Sequence, residues 1–85
     1  MSDIDAYRRE IGVLDREILA AVNRRVELVA ELKRWKDERG LPFVDPEREA
    51  QLLDELAAAN GGPLSDDGVR ALFVELLALI KRELR

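Results

Sequence analysis

Residues 23–36 read NRRVELVAELKRWK, and the extent of the helix that runs through them decides the fold. Apolar residues that step alternately by three and four mark one face of an α-helix. Here those residues are Leu28, Leu32 and Trp35, and the same stepping continues backwards through Ala21, Ile18, Leu14, Ile11, Tyr7 and Ile4. One position in the series, Arg25, carries a guanidinium instead of hydrocarbon. The pattern predicts a single helix from about Asp3 to about Arg39. Ser2 is its candidate cap, Asp3 and Asp5 suit the positive end of the helix dipole, and Gly40 is the stop. At 1.5 Å per residue such a rod is roughly 55 Å long.

Beyond it, GLPFVD breaks the helix with Gly40 and Pro42. Asp45 is placed to cap a second helix, PEREAQLLDELAAAN, with Pro46 at the first position, where a missing N–H costs nothing. Gly61-Gly62-Pro63 ends that helix. Ser65 then caps a third, DDGVRALFVELLALIKRELR, whose apolar residues are Val69, Leu72, Phe73, Leu76, Leu77, Leu79 and Ile80. No repeat, strand pattern or low-complexity segment interrupts this order. The expectation is an all-α chain of three helices, one long and two shorter, forming one domain over residues 1–85.

A compact monomer of 85 residues has a radius of gyration near 12 Å (roughly 2.2·N^0.38). A rod of the expected length leaves half its apolar stripe in water. At about 25 cal/mol per Å², several exposed Leu and Ile side chains amount to many kcal/mol of unrealised burial. A two-fold dimer removes the problem if the long helices pair and each chain's short helices cover the other's rod. The predicted architecture is therefore an intertwined homodimeric bundle. A single extended coiled coil is the rival, and the Pro and Gly breaks argue against it.

Composition narrows the chemistry. With 47% hydrophobic and 38% charged residues, the chain has the mix of a soluble helical protein. Its net charge is −4, with basic residues interleaved among acids, which gives no reason to expect nucleic acid. No run approaches the roughly 18 apolar residues of a membrane span. MSDIDAYRRE lacks the basic start and apolar core of a signal peptide, so the cytoplasm is the expected location. There is no Cys, His or Thr, and the serines are Ser2 and Ser65, both at expected caps. Ser–His and Cys–His nucleophiles are excluded, and the usual zinc ligand sets with them. Catalysis must rely on Asp, Glu, Arg, Lys, Tyr7 and backbone groups, which favours geometry and fixed charge.

The charges that need explaining begin with Arg25. An isolated arginine on a seam can snorkel, or pair with a glutamate and mark register. Lys36 lies eleven residues on, offset by only about 20° around the helix, beside Val22, Val29 and Leu32. Two cations facing hydrocarbon are a liability unless an anion joins them. The second helix opens with Asp45, Arg48 and Glu49. Asp45 serves as a cap and Glu49 suits the helix N-terminus, whereas Arg48 is mildly unfavourable there without an anion nearby. Arg8 either faces solvent or, in an intertwined dimer, approaches the other chain's Arg25. Together Arg25, Arg48, Lys36 and Arg8, with one or two acids, suit a small di-anion. A dicarboxylate is the natural candidate, because arginine grips carboxylates with a bidentate fork.

The text Arg8-R-E-I-x-x-L-Asp15, Arg25 with its N-R-R, Lys36, L-Pro42-x-V-Asp45-P-x-Arg48-Glu49 and Leu72-Phe73 resembles the all-helical bacterial chorismate mutases over nearly the whole chain. The D-P-x-R-E run at this distance from the arginine and lysine of a long first helix is the most specific part. The resemblance implies an intertwined helical dimer with shared sites. It also implies the rearrangement of chorismate to prephenate in phenylalanine and tyrosine synthesis, with no cofactor, no metal and no covalent intermediate. By position, Arg25 and Arg48 resemble the carboxylate-binding arginines, and Arg8 the arginine supplied by the other subunit. Lys36 resembles the lysine on a carboxylate and the ether oxygen, Glu49 the acid that holds the ring hydroxyl, and Asp45 its support.

The departure from the family pattern lies at the last helix. The family places Gln or Glu eleven residues after its Phe, with a small or hydroxyl residue four before that. This sequence has Leu84 and Ile80 there. Glu83 and Arg85 flank the position but point about 100° away on a regular helix. Short family members with unorthodox C-termini are activated by DAHP synthase, which makes that enzyme a candidate partner. Isochorismate-pyruvate lyase and aminodeoxychorismate mutase use the same scaffold. A catalytically impaired regulatory dimer is the reading from a different class.

Overall fold

The computed structural model describes residues 3–85. Its elements in chain order are α1 (Asp3–Glu38), α2 (Pro46–Ala59) and α3 (Asp66–Glu83). No strand occurs among the described residues, in agreement with the all-α expectation. Ser2, the expected cap of α1, lies outside the described residues. The chain divides into two compact units, the first ending at Leu32 and the second spanning Lys33–Arg85.

The first unit is the greater part of α1. Asp3 and Asp5 occupy the first turn, where acids complement the dipole. Local exposed pairs form along it, Arg8 with Asp5 at 4.0 Å and Arg24 with Glu27 at 3.2 Å, each contributing a few tenths of a kcal/mol. No residue of α1 is buried within the chain. The apolar stripe from Ile4 through Tyr7, Ile11, Leu14 and Ile18 to Leu28 is exposed, with Ile18 at 60%.

In the second unit the end of α1 is closed by a glycine cap. Gly40 has φ +68°, a region that costs an L side chain energy and glycine none. That turn lets Leu41 N–H reach the Lys36 carbonyl at 2.9 Å and Gly40 N–H reach that of Asp37 at 3.2 Å, the paired bonds of a Schellman ending. The predicted stop is therefore found with its full hydrogen-bond pattern. α2 begins as expected: Asp45 is extended (φ −128°), Pro46 takes the first helical position, and Asp45 Oδ1 accepts from Arg48 N–H at 3.1 Å. The helix ends one residue before the predicted Asn60, which leaves it with ψ 122°. Asn60 then ties the turn together, its Nδ2 donating to Leu64 O at 2.7 Å and its Oδ1 accepting from Gly62 N–H at 3.0 Å.

Ser65 caps α3 by accepting from Gly68 N–H at 3.0 Å. A Cβ at Gly68 would sit 3.2 Å from that same hydroxyl oxygen, so the small residue belongs with the cap. Ser65→Ala removes the bond and is expected to lower stability by about 1 kcal/mol, read as a shift in the urea midpoint with unchanged slope.

α2 and α3 pack on each other, and their charge pairs show that they run antiparallel. Arg70, early in α3, meets Asp54 at 2.9 Å, and Lys81, late in α3, meets Glu49 at the start of α2. Along this seam lies the core, in which Ala57, Val69 and Ile80 are buried, with Leu52, Leu53, Leu56, Phe73, Leu76 and Leu77 half-buried around them. Leu72 and Leu79 do not join it. They are 54% and 39% exposed because α3 is apolar on more than one face and α2 covers only one.

Candidate active site

The last turn of α1 and the loop after it are bound to each other through one residue. The Lys36 carbonyl accepts from Leu41 N–H at 2.9 Å and from Arg39 N–H at 3.1 Å. Its ammonium donates to the Phe43 carbonyl at 3.3 Å. Neighbouring side chains pin the same loop. The Lys33 ammonium lies 5.7 Å from the centroid of the Phe43 ring, and the Arg39 guanidinium stacks over Trp35 at 4.0 Å. The half-buried Lys36 is thus held by backbone groups, and donors remain on its ammonium for a ligand.

Beside it opens a hollow of about 650 Å³ lined by Lys36, Leu41, Pro42, Val44, Asp45, Pro46 and Glu47. Hydrocarbon walls with one ammonium and two carboxylates give a site that orients a small polar molecule by a few fixed charges. Asp45 is committed on one oxygen to the α2 cap. The cap places Arg48 and Glu49 in the first turn of α2, on different faces. Arg48 is exposed and reaches forward to Glu55, 3.5 Å away. Glu49 shares the inner stripe with Leu52, Leu53 and Leu56, is half-buried, and pairs with Lys81 of α3.

The structure therefore brings Lys36 and Asp45 to one hollow, joins Arg48 to Asp45 through the cap, and links Glu49 to α3. Arg8 and Arg25 belong to the first unit. The Arg8 side chain is 77% exposed, 4.0 Å from Asp5. Arg8 also borders an open hollow with Arg9, Gly12, Val13 and Arg16. Arg25 is half-buried and has no ion-pair or hydrogen-bond partner among the described residues. Ile80 is 2% exposed, the most buried side chain of the core. Leu84 is half-buried and ends α3, its N–H donating to Ile80 O at 3.1 Å. No cluster of His, Cys, Asp and Glu suited to a metal ion occurs among the described residues.

Lys81 is absent from the residues that sequence reasoning singles out. Its signal is there: it follows Leu77 by four residues, on the inner stripe of α3, as a cation in an apolar series. Arg25 is the same kind of anomaly on α1.

Three helices in this order, with a lysine at the end of the long one beside a capped D-P-x-R-E turn, define an all-α protein with its candidate site at the start of α2. The family model for chorismate mutase type II matches residues 7–84, and the chain belongs to that family. The solved chorismate mutase (form I) of Thermus thermophilus superposes with a TM-score of 0.91 at 40% identity, covering 93% of this chain and 99% of that one. Among curated relatives, the T-protein of Haemophilus influenzae is 37% identical over 68 residues, 78% of this chain and 18% of its own length. The 4-amino-4-deoxychorismate mutase of Streptomyces venezuelae is 32% identical over 63 residues, 72% of this chain and 61% of that protein. The chain spans only about a fifth of the first curated relatives it matches. No helix among the described residues is long and apolar enough to cross a membrane.

Proposed function

We propose that residues 1–85 form one chorismate mutase domain that rearranges chorismate to prephenate, acting as an intertwined homodimer in the cytoplasm. The observation that carries this reading is the Lys36–Asp45 hollow at the start of α2, with Arg48 and Glu49 in the adjoining turn, in a chain of this family. In the proposed site Arg25, Arg48 and the partner subunit's Arg8 grip the two carboxylates of the substrate. Lys36 contacts a carboxylate and the ether oxygen, and Glu49, with Asp45 behind it, receives the ring hydroxyl. Catalysis then consists of holding a flexible diacid in its reactive diaxial shape and countering the negative charge that grows on the ether oxygen. No side chain need form a bond to the substrate, which suits a chain without Cys or His.

The dimer is supported by the bare stripe of α1, where no side chain is buried within one chain. Sedimentation equilibrium is expected to give twice the chain mass at micromolar concentration; a monomer there rejects the shared-site arrangement. The activity test follows the loss of chorismate absorbance on adding purified protein. Absence of turnover, with and without DAHP synthase, rejects the mutase reading, whereas pyruvate released from isochorismate supports a lyase on the same scaffold. A second reading, a weak or regulatory dimer that needs DAHP synthase, is favoured by one observation: apolar Leu84 caps α3 where the family's polar donor is expected.

A further inference from the structure

Glu49 and Lys81 form an ion pair that crosses from α2 to α3, with their side chains 29% and 35% exposed. The pair stands at the end of the α2–α3 seam, next to Ile80, the most buried residue of the core. Surface pairs such as Arg70–Asp54 involve side chains 42% and 73% exposed, so water screens them far more. Lys81 reaches Glu49 through Oε1, which leaves the carboxylate able to accept from another group.

We propose that Lys81 determines specificity by making Glu49 select a neutral hydroxyl over an ammonium. This rests on the reading of Glu49 as the acceptor of the substrate's ring hydroxyl. An unpaired carboxylate welcomes a cation more than a neutral donor. A carboxylate already neutralised by lysine does not, because a second ammonium brought to the same carboxylate is repelled by the first at the partly screened edge of the protein. The S. venezuelae relative is named for a substrate with an amino group in place of the 4-hydroxyl, and an allylic amine is protonated near neutral pH. The two substrates differ in the charge of the group that Glu49 receives, and Lys81 is the fixed cation beside it. Lys81 acts through Glu49 and is a positioning residue in this sense.

The test compares kcat/KM for chorismate and for 4-amino-4-deoxychorismate in the unmodified protein, Lys81→Met, Lys81→Gln and Lys81→Arg, each checked for helicity. The unmodified protein is expected to prefer chorismate. Lys81→Met and Lys81→Gln are expected to move the ratio toward the amino substrate on the order of tenfold or more, while Lys81→Arg retains it. A structural role alone lowers both substrates together, so an unchanged ratio in the folded neutral variants overturns the inference. A shifted ratio in Lys81→Arg as well overturns the assignment to charge. If the unmodified protein turns over neither substrate, the mutase reading fails and the inference falls with it.

Discussion

Arg25→Ala is expected to lower kcat/KM for chorismate by on the order of 10³-fold, close to abolition, while sedimentation still shows the dimer. The size follows from stranding a buried carboxylate: losing one partner of a desolvated charge pair costs about 3–5 kcal/mol, and 10³-fold corresponds to about 4 kcal/mol. The motive is physical. Arg25 lies in an apolar series, is half-buried, and meets no acid among the described residues. A cation kept there without a protein partner is explained by an anion that arrives with the substrate. Lys in place of Arg25 is expected to recover only part of the loss, because an ammonium cannot reproduce the bidentate fork. If Arg25→Ala instead dissociates the dimer, the guanidinium has a structural role and the carboxylate site must be sought elsewhere.

Leu84→Gln is expected to raise kcat on the order of 10²-fold, the size of the effect of a single oxyanion donor. The backbone imposes no obstacle. Leu84 has φ −100°, open to any L residue, and its capping bond to Ile80 O uses the main chain. The half-buried side chain already points away from full solvent. An unchanged rate means that another group supplies the donor.

The parts of the fold legible in the sequence are those governed by local chemistry. Asp45, Pro46, Ser65 and Gly40 act where expected because caps and breakers work through bonds within four or five residues. The helices stop a residue or two short of their predicted ends at Asn60 and Leu84–Arg85: the breaker Gly61-Gly62-Pro63 limits α2 without fixing its last residue, and no Gly or Pro stands among residues 81–85. Lys81 is hidden from sequence reasoning because its meaning depends on Glu49, thirty-two residues away, and only the antiparallel packing of α2 on α3 brings them together. Leu72 and Leu79 belong to the apolar set of α3, but composition does not say that α2 covers one face alone. Of the candidate site, Lys36 and Asp45 share a hollow as residue spacing suggests. The remaining charges depend on helix faces and, in the proposed dimer, on a second subunit, neither of which spacing alone can supply.

The clasp at Lys36 has a consequence for how this protein is free to vary. The ammonium is held by the carbonyl of residue 43, a group that every amino acid carries. Position 43 can therefore change its side chain over evolutionary time without releasing Lys36, whereas Gly40, whose φ of +68° shapes the path to that carbonyl, has almost no substitutes. As far as the clasp is concerned, variation is tolerated at the residue whose carbonyl makes the contact and resisted at Gly40, which shapes the path to it.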